Sequence, residues 1–292
     1  MIYSNKSIVT ALSLLMACFL FFGCHKKDET RYANVNVHVN DFNISQGEFP
    51  DSKSGIIDYA GVKAVTLAFY DEDDTEVYKS TQLRDDESTY TTFGNFSVSL
   101  PMGSYTMVVI GREHFENDVF ELTSPTSAGY TNKVRETFVA SQTVNIENTE
   151  DLALSATLSR VVSKVTVVST DGKTENAHNV TMTFPAGGKG VNPTTGLALT
   201  NTGFTNTLGI SADVGESSTS NSYLFLATDE QTMTITLNVL DADGNSISQK
   251  VVPNVPLRRN RITTLTGSLY STDATSDFQI ETDWLEGNTV GF

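Results

Sequence analysis

The chain has 292 residues, enough for about two domains at ~150 residues each or one large all-β domain. It is 39% hydrophobic and 18% charged, which suits a globular body with a packed core rather than a disordered chain. Lysine and arginine number 19 against 35 acidic residues, a formal charge of −16, and a surface so acidic disfavours nucleic acid as a partner.

Residues 1–24 carry one charge, Lys6, ahead of an apolar run from Ile8 to Phe22. That is the layout of a secretory signal, and the run falls short of the ~20 residues a membrane span needs. The only cysteines are Cys18 and Cys24, so the body has no disulfide, cysteine zinc site or thiol nucleophile. Gly23-Cys24 followed by His25-Lys26-Lys27-Asp28-Glu29 resembles a bacterial lipoprotein cleavage box, in which the cysteine receives a diacylglycerol. Two or three acyl chains, at ~0.8 kcal/mol per buried methylene, anchor a protein stably without a transmembrane helix. Leu15-Met16-Ala17-Cys18 fits the box better by residue type, but cleavage there leaves Phe19-Leu20-Phe21-Phe22 exposed, so Cys24 is the preferred lipidation site and Cys18 the alternative. Residues 1–23 then form the signal peptide and 24–32 a polar tether.

Beyond the tether, Val35, Val37 and Val39 alternate with Asn36, His38 and Asn40, the mark of a strand with one buried face. Similar runs recur at 62–70, 76–81, 94–100, 105–111, 136–146, 152–158 and 161–169. They continue at 180–184, 222–226, 233–240, 246–252, 262–270 and 278–284. Turn residues such as Asp241-Ala242-Asp243-Gly244-Asn245 and Pro101-Met102-Gly103 separate them. No stretch keeps a helical period for a dozen residues, so the expected fold is all-β, built as antiparallel sandwiches. The division is expected near Leu158-Ser159-Arg160, giving domains 33–159 and 160–292. Thr66–Asp73 faintly echoes Thr236–Asp243, and the Gly/Thr/Asn-rich stretch 186–206 reads as a long loop or irregular edge.

Chemistry is sparse. His25, His38, His114 and His178 lack metal-ligand spacing, and no G-x-S-x-G elbow occurs. Gly187-Gly188-Lys189-Gly190 fails the phosphate-loop pattern at Thr183 and Gly190. Asp71-Glu72-Asp73-Asp74 and Asp241/Asp243/Asn245 offer oxygens to calcium, but turns select the same residues and the EF-hand spacing is absent. Sequons at Asn43, Asn95 and Asn179 read as chance matches. No catalytic residue, metal ligand or cofactor is assigned, and the expectation is a non-enzymatic protein.

Four stretches carry a family likeness. They are Val62–Asp71, Ser99–Val109 with its Leu100-Pro101-Met102-Gly103-Ser104-Tyr105 core, Leu158–Val165, and Val255–Gly267 with Val255-Pro256-Leu257-Arg258-Arg259-Asn260-Arg261. With the cleavage box, they make the chain resemble the Bacteroidetes fimbrillin superfamily, and within it the FimB-like minor anchor subunits of type V pili. The resemblance implies two tandem transthyretin-like Greek-key β-sandwich domains and a lipoprotein (palmitate-bearing) displayed on the cell outer membrane. It also implies a place in a fimbrium, with pilin subunits as partners through β-strand pairing and a role in cell adhesion. Phe278, Ile280 and Trp284 alternate with polar residues and form a candidate strand-pairing segment, or else simply the last strand of the second domain. Stalk pilins of that superfamily are cut by an arginine-specific protease after the first strand. Here no arginine lies between Tyr32 and Leu83, which fits an anchor. A stalk or tip pilin is the nearest variant, and a carbohydrate-binding surface lipoprotein the reading from another class, although Trp284 is the sole tryptophan.

Overall fold

The computed structural model describes residues 30–43, 61–84, 92–272 and 278–282. Among them the chain forms strands and no helix. In chain order these are β1 (Tyr32–Asn43), β2 (Ala64–Tyr70), β3 (Glu76–Leu83), β4 (Asn95–Pro101), β5 (Gly103–Arg112), β6 (Phe120–Ser124) and β7 (Ser127–Tyr130). Then come β8 (Thr137–Ile146), β9 (Leu152–Arg160), β10 (Val162–Ser169), β11 (Asn179–Phe184), β12 (Gly190–Asn192) and β13 (Leu197–Ala198). The last are β14 (Phe204–Gly209), β15 (Thr219–Phe225), β16 (Glu230–Leu240), β17 (Ser246–Arg258), β18 (Ile262–Gly267) and β19 (Gln279–Thr282).

The all-β expectation holds, and alternation explains it locally. Ala33, Val35, Val37 and Val39 of β1 are buried while Asn34, Asn36 and His38 are exposed. β2 is buried on both faces: Val65, Leu67 and Phe69 fill one cluster, Ala68 and Tyr70 another. Turn chemistry ends the strands. The Asp71 carboxylate accepts the Asp73 and Thr75 N–H groups at 3.0 and 2.9 Å, and Asp241 accepts those of Asp243 and Asn245 at 2.9 and 2.8 Å.

Strands of the first half make one seven-stranded sheet, ordered β3-β2-β5-β8-β9-β1-β4. It wraps around a single cluster drawn from both of its ends, including Val35, Leu67, Val98, Met107 and Leu158. The ladder between β8 and β9 is short, with Phe138↔Arg160 and Val139↔Ser159 as its pairs, so the sheet works as two leaves hinged there. On the opposite side the Gln82 amide spans the seam, donating to the Asn95 carbonyl at 2.6 Å and accepting the Gly94 N–H at 2.7 Å. The near-barrel is thus closed by a side chain where no ladder closes it.

In the second half, β15-β10-β18-β19 and β14-β11-β16-β17 enclose a separate cluster that includes Val165, Met182, Leu224, Leu237 and Leu265. The two halves share one strand order. β1 lies between antiparallel β4 and parallel β9, and β10 between antiparallel β15 and parallel β18. β3-β2-β5-β8 corresponds in the same way to β14-β11-β16-β17. The echo of Thr66–Asp73 in Thr236–Asp243 is not part of this correspondence. The first lies on the β2–β3 hairpin and the second on β16–β17, and strand order matches β2 to β11 instead. The shared feature is an aspartate-led turn.

A fourth sheet, β13-β12-β7-β6, is built from both halves. The β6–β7 hairpin departs between β5 and β8, while β12–β13 departs between β11 and β14. They meet through Gly190↔Gly129 and Val191↔Ala128. A Cβ on Gly129 would sit 2.7 Å from the Gly190 Cα, so the approach requires glycine. A third apolar cluster, including Tyr70, Leu122, Tyr130, Val161, Val191 and Phe225, lies beneath, with Tyr130 and Phe225 stacked 19° from parallel. The stretch 186–206, read from the sequence as a long loop or irregular edge, carries β12, β13 and the start of β14, with β13 at the edge of this sheet.

Candidate functional site

Of the residues singled out in the sequence, Cys24, Cys18 and Trp284 lie outside the described residues. Phe278 and Ile280 are described, and both lean on the second core. β19 pairs antiparallel with β18 through Leu265↔Ile280 and Thr263↔Thr282. The Phe278 ring lies over Gly267, where a Cβ would meet it at 2.8 Å. The segment thus adds a fourth strand to its sheet, and among the described residues no strand pairs with its other edge, a row of main-chain donors and acceptors. Of the other edge strands of this half, β17 is the longest, and it is blunted by Pro253, Pro256 and the left-handed Asn254 (φ 55°).

At the opposite end, β1 is an internal strand. It pairs with β4 from Tyr32↔Pro101 to His38↔Asn95 and with β9 from Val35↔Leu152 to Asn43↔Ser159, broken by a bulge after Val39. Its valines supply part of the first core. Arg31 precedes it, and the next arginine, Arg84, follows β3.

A hollow of about 640 Å³ opens where the halves meet. One wall is β8 and β9 at their hinge; the other is the Pro193–Gly196 turn and the Arg258–Arg261 turn. Val161 alone separates β9 from β10 at its base. Arg160, 1% exposed, stands 2.7 Å from the Glu136 carboxylate, lies over the Phe138 ring and donates to Asn260 Oδ1 at 3.0 Å. It therefore ties the end of the first half to the second. Arg259 pairs with Asp229 at 2.7 Å and donates to the Thr195 carbonyl at 2.9 Å, and Arg258 pairs with Glu230 at 3.0 Å. Asn260 holds a left-handed φ of 59°, which turns Arg261 back toward the hollow. Burial, and then the neighbouring charge of Arg258, lower the Arg261 pKa. A cationic wall has been assembled in an acidic protein.

Among the described residues no three His, Cys, Asp or Glu side chains gather where they could hold a metal. His38 bonds Asn95 and His114 approaches Arg112 at 3.1 Å. Asp241 is committed to its turn, where the Asn245 side chain and main chain hold its carboxyl below the ordinary range.

Comparison with known proteins bears on this arrangement. The family described as "Family of unknown function (DUF6562)" matches residues 64–289. The chain belongs to the DUF6562 family. Solved structures share its fold at low identity. The fimbrial anchor protein Mfa2 from Porphyromonas gingivalis is 14% identical, with a TM-score of 0.51 over 86% of this chain and 97% of that one. A candidate adhesin from Bacteroides ovatus is 13% identical, with a TM-score of 0.52 over 88% and 96%. A candidate polysaccharide-binding protein from Bacteroides thetaiotaomicron is 12% identical, with a TM-score of 0.52 over 86% and 96%. No curated protein matches the sequence.

The DUF6562 match covers β2 to β19 and so includes the cationic turn. Residue-level reading singled out Val255–Arg261 as part of a family likeness but not as a wall of a hollow. Arg160 and Arg261 are about a hundred positions apart, and the crossing at Val161 together with the shared sheet brings them to the same place.

Proposed function

We propose that this DUF6562 protein is a non-enzymatic lipoprotein of the outer membrane, tethered at Cys24, that serves as an anchor or minor subunit of a fimbrium and supports adhesion. Its body is two transthyretin-like Greek-key sandwiches, 33–159 and 160–292, and it joins pilin subunits by β-strand pairing. The likeness in fold to a fimbrial anchor protein along nearly the whole of both chains carries this reading. Three features of the chain support it. β1 is built into the first core, and no arginine occurs between it and Leu83, so an arginine-specific protease has no site there to release it. The open edge of β19 offers main-chain groups to a neighbour. The acidic turns serve as turns, with Asp71 and Asp241 each accepting main-chain N–H groups of their own hairpin.

The test is Cys24→Ala in cells that make the protein. The expected outcome is loss of acyl groups by mass spectrometry, release of the protein from the membrane fraction, and shedding of attached fimbriae into the medium. Fimbriae that stay attached in normal number would refute the anchor role, and an acylated Cys24→Ala protein would move the lipid to Cys18. A sugar-binding role is favoured only by the likeness to the candidate polysaccharide-binding protein. The hollow between the halves has no aromatic side chain in its lining on which a sugar ring could stack.

A further inference from the structure

We propose that the fork between β8 and β9 is a docking groove for a short acidic peptide segment in extended conformation, gripped through its carboxylates by Arg258, Arg259 and Arg261 and through its backbone by the strand edges. This stands independently of the fimbrial reading, because it rests on the groove alone.

Three observations converge. The first is charge. Among the described residues the hollow is lined by four arginines, Arg160 being the fourth, and one carboxylate, Asp229, in a chain whose formal charge is −16. Arg160 is occupied by Glu136, whereas the pairs of Arg258 and Arg259 are with acids more than half exposed. Solvent-exposed pairs are weak, so an incoming carboxylate exchanges with Glu230 or Asp229 at little cost. Guanidinium groups take carboxylates in a bidentate fork, and Arg258, Arg259 and Arg261 stand on one turn of the lining.

The second is backbone. The β8–β9 ladder stops at Val139↔Ser159, and Ala140–Gln142 and Ser155–Thr157 continue along the hollow beyond it. β8 is paired with β5 on its other side as far as Gly103↔Ile146, and β9 with β1 from Leu152 onward, so each already belongs to a ladder and presents one remaining edge to the fork. A strand-like peptide is the ligand that uses such edges. The third is lining. The lining also holds Ser141, Gln142, Ser155 and Thr157 and no aromatic side chain, a surface that suits a polar chain over a stacked sugar.

The test uses the full chain and a fluorescein-labelled decapeptide alternating Glu and Thr, followed by anisotropy, with Lys in place of Glu as control. Saturable binding of the Glu peptide and none of the Lys peptide is expected. Arg258→Ala should weaken it by roughly tenfold to a hundredfold, the range for a hydrogen bond between charged groups. Thr157→Asp, at an exposed position on the groove wall, leaves the arginines in place and should weaken it several-fold by adding like charge. Amide exchange along 140–146 or 152–158 should slow when the peptide is bound. The proposal is overturned if the Glu peptide fails to bind at millimolar concentration, if either variant binds it as tightly as the native chain, or if exchange in both segments is unchanged. It is overturned in favour of an acidic glycan if polygalacturonate binds and the peptide does not.

Discussion

The buried pair of Glu136 and Arg160 is where a single substitution should disturb the junction of the halves most. The charges stand 2.7 Å apart with side chains 7% and 1% exposed. At an effective dielectric of ~20, their attraction is about 6 kcal/mol, and removing each ion from water costs several kcal/mol, so the pair as a whole contributes little net stability. Breaking it from one side is different, because the desolvation has been incurred and the attraction is gone. Glu136→Ala should therefore cost ~3–5 kcal/mol. Arg160→Met should cost a similar amount, since it also removes the bond to Asn260 and the contact with Phe138. The double variant Glu136→Leu/Arg160→Met leaves no orphaned charge and should fall well short of the sum of the single effects. Urea denaturation followed by circular dichroism reads all three, provided the slopes stay constant. A Glu136→Ala cost below ~1 kcal/mol, or double-variant additivity within ~0.5 kcal/mol, would refute the reasoning.

Asp171 gives a pH-dependent case. Burial works to raise its pKa, but donors from Leu269, Ser268, Tyr270 and Ser271 together hold it below the ordinary value. A depressed carboxyl stabilises the fold above its unfolded pKa of ~3.9, and that contribution disappears as pH falls through the lower folded value. Asp171→Asn should lower stability at pH 7 by ~1.5–3 kcal/mol and flatten the loss of stability below about pH 4, measured by denaturation across pH; an unchanged acid limb would count against it. Gly129→Ala forces a Cβ into the Gly190 backbone and should cost ~1–3 kcal/mol in thermal unfolding. Gly209→Ala, whose Cβ would have no neighbour closer than 4.0 Å, should stay within about 0.5 kcal/mol. Gln82→Ala opens the seam between β3 and β4 and should speed amide exchange at Gly94; exchange there at the native rate would show that the amide clamp is idle.

Period-two alternation made the long strands legible. Val35, Val37 and Val39 point inward as their spacing requires, and the Asp241–Asn245 turn sits between β16 and β17. The two short hairpins were not legible. Phe120–Tyr130 contains Pro125, and Gly190–Ala198 contains Pro193 and Gly196, residues that locally argue for loops. Each hairpin becomes sheet through a partner in the other half, and no local signal carries that. The repeated strand order was equally hidden, because the likeness lies in pairing and not in residues. An aspartate accepting the same two N–H groups at Asp71 and Asp241 produced a false echo. The basic turn could be read as residues, but its partnership with Arg160 depends on a crossing a hundred positions away.

The shared sheet has a mechanical consequence. A pull on the two ends of the chain reaches the second half by two routes, the covalent step at Val161 and the β7–β12 rungs, braced by Arg160. With two points of attachment the joint cannot pivot freely, so tension travels through the body as through a beam, not a chain link.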